Sequence, residues 1–317
     1  MSQLGYSLSS EEHRPADLIR YARRAEEVGF TFALISDHFH PWVDSQGHSP
    51  FVWTVLGGIA QATERLEVGT GVTCPTIRIH PAIIAQAAAT TADLFGGRFF
   101  LGVGTGENLN EHVLGDRWPP VDVRLEMLEE AMEVMRELWK GGLTSHEGKH
   151  YTVENARIYT VPDQPPPIHV AAAGAKAAEL AGRMGDGFVG TSPDTETIQA
   201  FEEAGGRGKP RYGQMTVCWA ADEADARRTA LEVWPNAGLP GQLSQELPLP
   251  SHFEQAAELV TEDALAEAFP VGPDPERHLS TIREYFDAGY DHVYVHQIGP
   301  DQEGFFDFYE KQILPKL

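Results

Sequence analysis

The run FALI (Phe32–Ile35) leads directly into SDHFHPW (Ser36–Trp42), and the run FFL (Phe99–Leu101) leads into GVGTGE (Gly102–Glu107). Short apolar runs of this kind are typical of buried strands. A histidine, a tryptophan and carboxylates that follow a buried strand are costly to bury unless they pair with other polar groups. The two segments therefore predict two strands whose ends share one active site.

Outward from these segments, apolar runs alternate with amphipathic helical patterns along the chain. The predicted strands are Leu4–Leu8, Thr31–Ser36, Leu66–Thr73, Arg98–Val103, Ile168–Ala172, Gly187–Gly190, Gln214–Ala220 and His292–Val295. The predicted helices are Ala16–Val28, Phe51–Thr63, Ala82–Leu94, Val123–Trp139, Ala175–Met184, a stretch broken at Asn236–Pro250, and Gly304–Ile313. This alternation of eight strands with helices predicts one domain, residues 1–317, an α/β protein of the (β/α)8 TIM barrel class with insertions.

Two features mark where these elements end or are interrupted. Gly29 follows the first helix and is the residue type that most often ends a helix in the left-handed conformation. The runs His150–Val153 and Arg157–Val161 break the alternation and predict a hairpin inserted before the fifth strand.

The composition excludes several classes of partner. The net charge is −23, and only six of the 24 basic residues are lysines. This acid excess predicts a surface adapted to high salt, where screening removes self-repulsion; an acidic protein from a GC-rich gene is the alternative. It also makes nucleic acid an unfavourable partner. Without an apolar run of about 18 residues or a signal peptide, we expect a cytoplasmic protein with no membrane span.

Residues that carry chemistry follow several of the predicted strands. In a barrel the catalytic groups lie at the C-terminal ends of the strands. We therefore expect one rim to gather Asp37, His38 and Trp42 after the second strand, Thr73–Thr76 after the third, Glu107 and Asn110 after the fourth, Ala173 and Gly174 after the fifth, and Thr191 and Ser192 after the sixth.

Metal binding is an alternative for this rim, because His38-Phe39-His40 resembles the HxH that begins many metal-dependent barrel hydrolases. That class needs further ligands at later strand ends, where this chain has TGE (Thr105–Glu107) and AAAG (Ala171–Gly174), with His296 as the one candidate. The two cysteines, Cys74 and Cys218, have no metal-ligand spacing. We expect no metal site and two buried free thiols.

The turn Ala172–Gly174 opens a predicted helix with Lys176 in its first turn. Small residues at a helix N-terminus let backbone N–H groups and the helix dipole meet a phosphate. A close-packed turn also needs small residues, so the segment favours an anion site without requiring one.

These residues together resemble the luciferase-like (β/α)8 oxidoreductases that use coenzyme F420, an 8-hydroxy-5-deazaflavin, and most of all the F420-dependent glucose-6-phosphate dehydrogenases. The resemblance rests on Ser36–Phe39 with Pro41 and Trp42, Pro75 and Thr76 with Pro81–Gln86, Leu101–Glu107 with Leu109 and Asn110, and Ala181–Arg183 with Gly185–Phe188. It covers nearly the whole chain and weakens from Asp194 to Pro270. It implies an F420-dependent dehydrogenase, and we expect a homodimer.

The resemblance also implies which residues hold the cofactor. The implied deazaflavin site comprises Asp37, Gly71, Val72, Cys74, Thr105, Gly106, Asn110, Ala173, Gly174, Lys176 and Ala177. In such enzymes the Gly71–Val72 position carries a non-prolyl cis peptide. Cys74 stands where the dehydrogenases have threonine, and Ala173 where they have a second glycine. Lys176, Arg78 and Arg183 are the cations that we expect on the same rim for the anionic cofactor.

Oxidation of an alcohol needs a base at the hydroxyl and an acid near N1 of the deazaflavin. We expect His38 and Glu107 to fill these two roles, in an order that the sequence leaves open. Trp42 is expected to complete the catalytic set by walling the pocket. Glu11 is expected to orient the pair, and Glu11 and Thr191 are expected to contact the substrate.

The substrate is where this chain departs from the glucose-6-phosphate enzymes. They hold the phosphate with two lysines and an arginine, and the corresponding places here are Asp194, Leu243 or Ser244, and Ala268. We therefore expect an alcohol or a free sugar rather than glucose 6-phosphate. A glucose-6-phosphate dehydrogenase and an FMN-dependent luciferase-like monooxygenase remain the alternatives, followed by a non-catalytic or metal-dependent barrel.

Overall fold

The computed structural model describes residues 2–317, so Met1, where the predicted domain begins, lies outside the described residues. The strands are β1 (Gln3–Leu8), β2 (Phe32–Ile35), β3 (Glu67–Thr70), β4 (Phe99–Val103), β5 (Thr144–Glu147), β6 (Thr152–Ala156), β7 (Ile168–Ala171), β8 (Gly187–Gly190), β9 (Arg211–Val217) and β10 (His292–Gln297). Eight of them close into a barrel in the order β1-β10-β9-β8-β7-β4-β3-β2, and every neighbouring pair is parallel. The predicted TIM barrel is confirmed.

Helices connect the barrel strands. They are α1 (Pro15–Val28), α2 (Val52–Ala62), α3 (Pro81–Phe95), α4 (Asn108–Glu111), α5 (Val121–Trp139), α6 (Ala175–Met184), α7 (Thr195–Phe201), α8 (Glu223–Val233), α9 (Leu243–Glu246), α10 (Pro250–Ala257), α11 (Glu262–Ala268), α12 (Pro275–Ala288) and α13 (Gln302–Phe308). Gly29 ends α1 with φ 108°, as predicted. Within the part of the chain that the structure describes, no helix is long and apolar enough to cross a bilayer.

The inside of the barrel is filled by side chains from β2, β4, β8, β9 and β10. Phe32, Leu34, Phe100, Val189, Tyr212 and Tyr294 form this interior cluster. One position beside it accepts no side chain, because a Cβ on Gly102 would lie 1.9 Å from the carbonyl oxygen of Thr70. The glycine of β4 therefore permits the close approach of β3 and β4 below the predicted site.

The inserted hairpin exists, but its predicted strands are wrong. β5 pairs antiparallel with β6 and the turn covers residues 148–151, whereas Arg157–Val161 lies outside any strand. The Glu130 carboxylate on α5 accepts hydrogen bonds from the backbone N–H groups of His150 and Tyr151. This long-range contact places the turn where the apolar pattern suggested a strand.

The seventh barrel strand begins three residues before the predicted Gln214. Arg211 starts β9 because its backbone N–H and its guanidinium bind Asp291, and the guanidinium also binds Glu202. The predicted end at Ala220 is also wrong, because Cys218 leaves the barrel to pair with Val271. The apolar residues around Cys218 belong to the segment that follows β9. The hydrophobic pattern therefore extended the predicted strand past its actual end.

The segment between β9 and β10 supplies α8 to α11 and covers part of the C-terminal rim. Phe253 of α10 packs with Val43 and Leu109 in a small apolar cluster that also contacts Trp42. The Asn108 side chain donates to the Glu246 carbonyl oxygen at 3.0 Å. This insertion therefore forms one wall over the strand ends where the predicted residues lie.

Candidate active site

His38, Glu11 and Trp42 come together at the ends of β1 and β2. The Nδ1 atom of His38 lies 3.2 Å from Oε1 of Glu11, although the two groups are not aligned as a formed hydrogen bond. The other carboxylate oxygen of Glu11 accepts from the hydroxyls of Ser36 and Ser9 at 2.7 and 3.1 Å. The Trp42 ring meets the His38 ring edge-on at 4.9 Å. Glu11 therefore lies beside the His38 imidazole, and its orienting role stays a prediction.

Glu107 and Asn110 lie on the neighbouring loop after β4. The Asn110 side-chain oxygen accepts from the backbone N–H groups of Phe39 and His40 at 2.9 and 3.1 Å. Its amide nitrogen donates to the Glu107 carboxylate at 3.4 Å. Asn110 is buried and joins the segment that carries His38 to the half-buried Glu107.

Asp37 lies in a buried cluster that the sequence did not reveal. Its carboxylate accepts from the Thr73 hydroxyl at 2.8 Å and from the Arg78 guanidinium at 2.9 Å. Glu111 of α4 accepts from the backbone N–H of Arg78 at 2.8 Å. Burial raises the pKa of Glu111 to about 7, against the opposing effect of Arg78. The one sequence signal for Glu111 was its position, four residues after Glu107.

The floor of the site follows β3 and β4. The Gly71–Val72 peptide is cis, which confirms that expectation. Cys74 is a buried free thiol, 3.0 Å from the Thr76 hydroxyl, and burial raises its pKa. Gly106 has φ 74°, and a Cβ there would lie 2.7 Å from the Cys74 sulfur. Gly106 therefore packs directly over the segment after β3.

The turn before α6 is open to solvent. Ala173, Gly174 and Lys176 are exposed, and Ala177 is half-buried. No described side chain caps the helix, and a Cβ on Gly174 would meet no described atom within 4 Å. The first N–H groups of a helix have no partner within it. The turn therefore has room and donors for an anion.

Two predicted residues are not brought into these groups. Thr191 is exposed after β8, and its carbonyl oxygen accepts from the Tyr285 hydroxyl at 3.1 Å. The prediction that Arg183 lies on the rim is wrong. Helix α6 begins at the rim, and its eight residues up to Arg183 carry the chain about 12 Å away from it. Arg183 lies at the far end of that helix, beside Glu129 at 3.3 Å.

The HxH histidines face different partners. His38 faces Glu11, whereas Nδ1 of His40 lies 2.9 Å from the Leu109 carbonyl oxygen. His296, the other candidate ligand, is buried 2.9 Å from Glu12. Among residues 2–317 there is no group of three or more His, Cys, Asp or Glu side chains arranged to hold a metal ion.

Comparison with known proteins gives consistent relatives. A family model described as luciferase-like monooxygenase matches residues 1–292. The F420-dependent glucose-6-phosphate dehydrogenase of Segniliparus rotundus is 37% identical, over 99% of this chain and 98% of its own length. The enzyme of the same description from Microbacterium testaceum is 36% identical, over 99% and 97%.

Two solved structures are similar over nearly the whole chain. An F420-dependent secondary alcohol dehydrogenase, in complex with an F420–acetone adduct, has a TM-score of 0.92 and 31% identity and covers 98% of each chain. The F420-dependent tetrahydromethanopterin reductase of Methanopyrus kandleri has a TM-score of 0.80 at 22% identity, covering 99% of each chain, and shows the shared fold alone.

Proposed function

Because this chain belongs to the luciferase-like monooxygenase family and is an F420-dependent oxidoreductase within it, we propose that it transfers a hydride between a neutral alcohol or free sugar and coenzyme F420. The observation that carries the proposal is the His38 imidazole, held against the buried Glu11 carboxylate beside Trp42 at the end of β2.

The residues of the rim fit such a cofactor. F420 joins a flat deazaflavin ring to a chain that carries a phosphodiester and glutamate carboxylates. The open N-terminus of α6, with Ala173, Gly174, Lys176 and Ala177, suits the anionic part. Val72 and Ala171 extend the apolar interior cluster beside Gly104 and offer a floor for the ring.

His38 is the proposed base. The Glu11 carboxylate near Nδ1 stabilises the imidazolium that forms when the other ring nitrogen takes the hydroxyl proton. Bound at this site, F420 would supply the hydride acceptor, C5 of its deazaflavin ring. Glu107 is the proposed acid that holds the proton delivered near N1, and Asn110 keeps it beside the His38 segment. Trp42 and Phe253, 5.3 Å apart, exclude water.

A neutral substrate agrees with the charges on the rim. Arg78 is bound to Asp37, Lys176 lies 2.7 Å from Asp122, and buried Arg124 donates to Gln245 and lies 3.7 Å from Glu246. No lysine or arginine occurs between residues 229 and 276. Asp194 caps α7 instead of presenting a cation. A phosphate group that bound Arg78, Lys176 or Arg124 would therefore have to break an existing pair.

We expect the apo-protein to bind F420 at low micromolar concentration or better and FMN much more weakly. The reason is the Asp37–His38 and Thr105–Asn110 pattern with the open turn before α6. Titration of tryptophan fluorescence with each cofactor measures both dissociation constants. Equal affinity for FMN would transfer the protein to the flavin-dependent monooxygenases.

We also propose that residues 1–317 form a single domain that works as a cytoplasmic homodimer adapted to salt.

The net charge of −23 makes the folded chain repel itself. Raising KCl from 0.1 M to 1 M screens this repulsion, because it shortens the Debye length from about 10 to about 3 Å. We expect the melting temperature to rise by at least about 2 °C, the effect of ~1 kcal/mol on a large domain. A melting temperature that falls or stays constant with KCl would remove the salt-adaptation proposal, and light scattering reports the dimer.

A further inference from the structure

Three charged side chains meet behind the proposed deazaflavin site, each from a different strand end. Asp37 follows β2, Arg78 follows β3 and Glu111 ends α4. The side chains of Asp37 and Glu111 are 1% exposed and that of Arg78 is 7% exposed. One cation is thus buried with two carboxyl groups.

The two carboxyl groups are not equivalent partners of Arg78. A terminal guanidinium nitrogen donates to Asp37 Oδ1 at 2.9 Å, with a further contact to the Asp37 carbonyl oxygen at 3.3 Å. Glu111 lies 3.6 Å from Nε, which has no hydrogen-bond partner among residues 2–317. The Arg78 guanidinium therefore pairs with Asp37. A negative charge on Glu111 is only weakly compensated by the same guanidinium.

This cluster directly supports the residues proposed to hold the ring. A Cβ on Gly106 would lie 2.9 Å from Cγ of Glu111, so Glu111 packs under the Thr105–Gly106 turn. On the other side, Arg78 fixes the Asp37 carboxylate, which the Thr73 hydroxyl also binds. A change in the charge of Glu111 is thereby felt by both walls of the proposed ring site.

We infer that Glu111 is a titrating positioning residue for cofactor binding. While Glu111 is protonated, the Arg78 guanidinium pairs with Asp37 alone. When Glu111 ionises, it attracts the same guanidinium, weakens the pair with Asp37 and thereby weakens the binding of F420. This inference rests on the proposed function. An ionised Glu111 also adds a buried negative charge beneath an anionic cofactor, which acts in the same direction.

The groups around Glu111 come from four elements. Arg78 and Cys74 follow β3, Asp37 follows β2, Glu107 precedes it on its own loop, and Tyr151 comes from the hairpin. Burial raises the pKa of both Cys74 and Tyr151, so neither becomes charged as the pH passes through neutrality. Burial is the main cause that raises the pKa of Glu111 to about 7, and the Asp37 carboxylate adds to it. Glu111 therefore changes charge as the pH passes through neutrality.

The test measures the dissociation constant of F420 between pH 6 and pH 8.5 for the wild type, Glu111→Gln, Arg78→Lys and the exposed control Glu133→Gln. A carboxyl that must keep its proton for tight binding raises Kd by up to about tenfold per pH unit above its pKa. Between pH 6 and pH 8.5, we expect the Kd of F420 to rise roughly tenfold or more for the wild type and for Glu133→Gln, relative to its change for Glu111→Gln. Arg78→Lys should bind at least about tenfold more weakly throughout, because lysine lacks the fork of donors.

Unfolding of the apo-proteins gives a second reading without the cofactor. A carboxyl whose folded pKa is near 7 binds its proton in the folded state alone between about pH 5 and pH 7. The stability of the wild type should therefore fall across this window relative to Glu111→Gln and stay parallel above it. Parallel Kd profiles, or parallel stability profiles, for the wild type and Glu111→Gln would overturn this inference alone. A wild type that binds no F420 at any pH would overturn the proposed function and this inference with it.

Discussion

Glucose 6-phosphate is expected to be a poor substrate, with kcat/KM at least roughly a thousandfold below the value for a phosphate site with its full set of cations. Each charge-assisted contact to phosphate contributes about 1.5–3 kcal/mol, so three missing contacts cost ~4–9 kcal/mol if they are additive. The segment that covers the rim carries Glu246, Glu254, Glu258 and Glu262 and no cation. A neutral secondary alcohol or free sugar avoids this repulsion.

Steady-state loss of oxidised F420 absorbance measures the preference. Glucose and glucose 6-phosphate are the matched pair, since they differ by the phosphate alone, and a small secondary alcohol completes the set. A clear preference for glucose 6-phosphate would make the protein a glucose-6-phosphate dehydrogenase like its curated relatives. Arginines such as Arg207 or Arg283 would then have to reach the site, although both are exposed and Arg207 lies before β9, at the opposite end of the barrel.

Replacement of His38 by alanine is expected to lower kcat by roughly 10²-fold or more, the range for lost acid–base catalysis. Glu107→Gln should do the same, because glutamine keeps the shape but neither gives nor takes the proton. Affinity for F420 should change little in both variants, since neither side chain is proposed to hold the cofactor. Steady-state kinetics and fluorescence titration separate the two effects.

The matched control is Phe39→Ala, which changes the next residue of the same segment at a side chain that is 52% exposed. It should keep most of its turnover. Near-full turnover of His38→Ala or Glu107→Gln at saturating substrate would mean that the residue is neither the acid nor the base.

The part of the site that could be predicted follows from strand position. Because parallel strands of a barrel end at one rim, residues after separate strands had to converge there. His38 and Trp42, the Thr105–Gly106 turn, and the Ala173–Gly174 turn accordingly lie on that rim. The partners of these side chains could not be predicted, because each partner belongs to another loop.

Adjacent carboxylates illustrate this difference. Glu11 turns to Ser36 and His38, whereas Glu12 turns to His296 and the Gly299 N–H. Their neighbours differ by more than 250 positions in the chain, and no local pattern separates them. The Asp37–Arg78–Glu111 cluster arises in the same way from three loops.

The sequence by itself determined the order of the eight barrel strands, the helix end at Gly29 and, residue for residue, α6 and β8. These depend on short-range periodicity and on glycine conformation, which the local residues carry. Only the tertiary structure decided the hairpin turn at Glu130, the start of β9 at Arg211 and the packing of Phe253 on Trp42. In each case a charged group or an aromatic ring contacts a residue on a distant segment. The free energy of that contact outweighs the local preference for secondary structure.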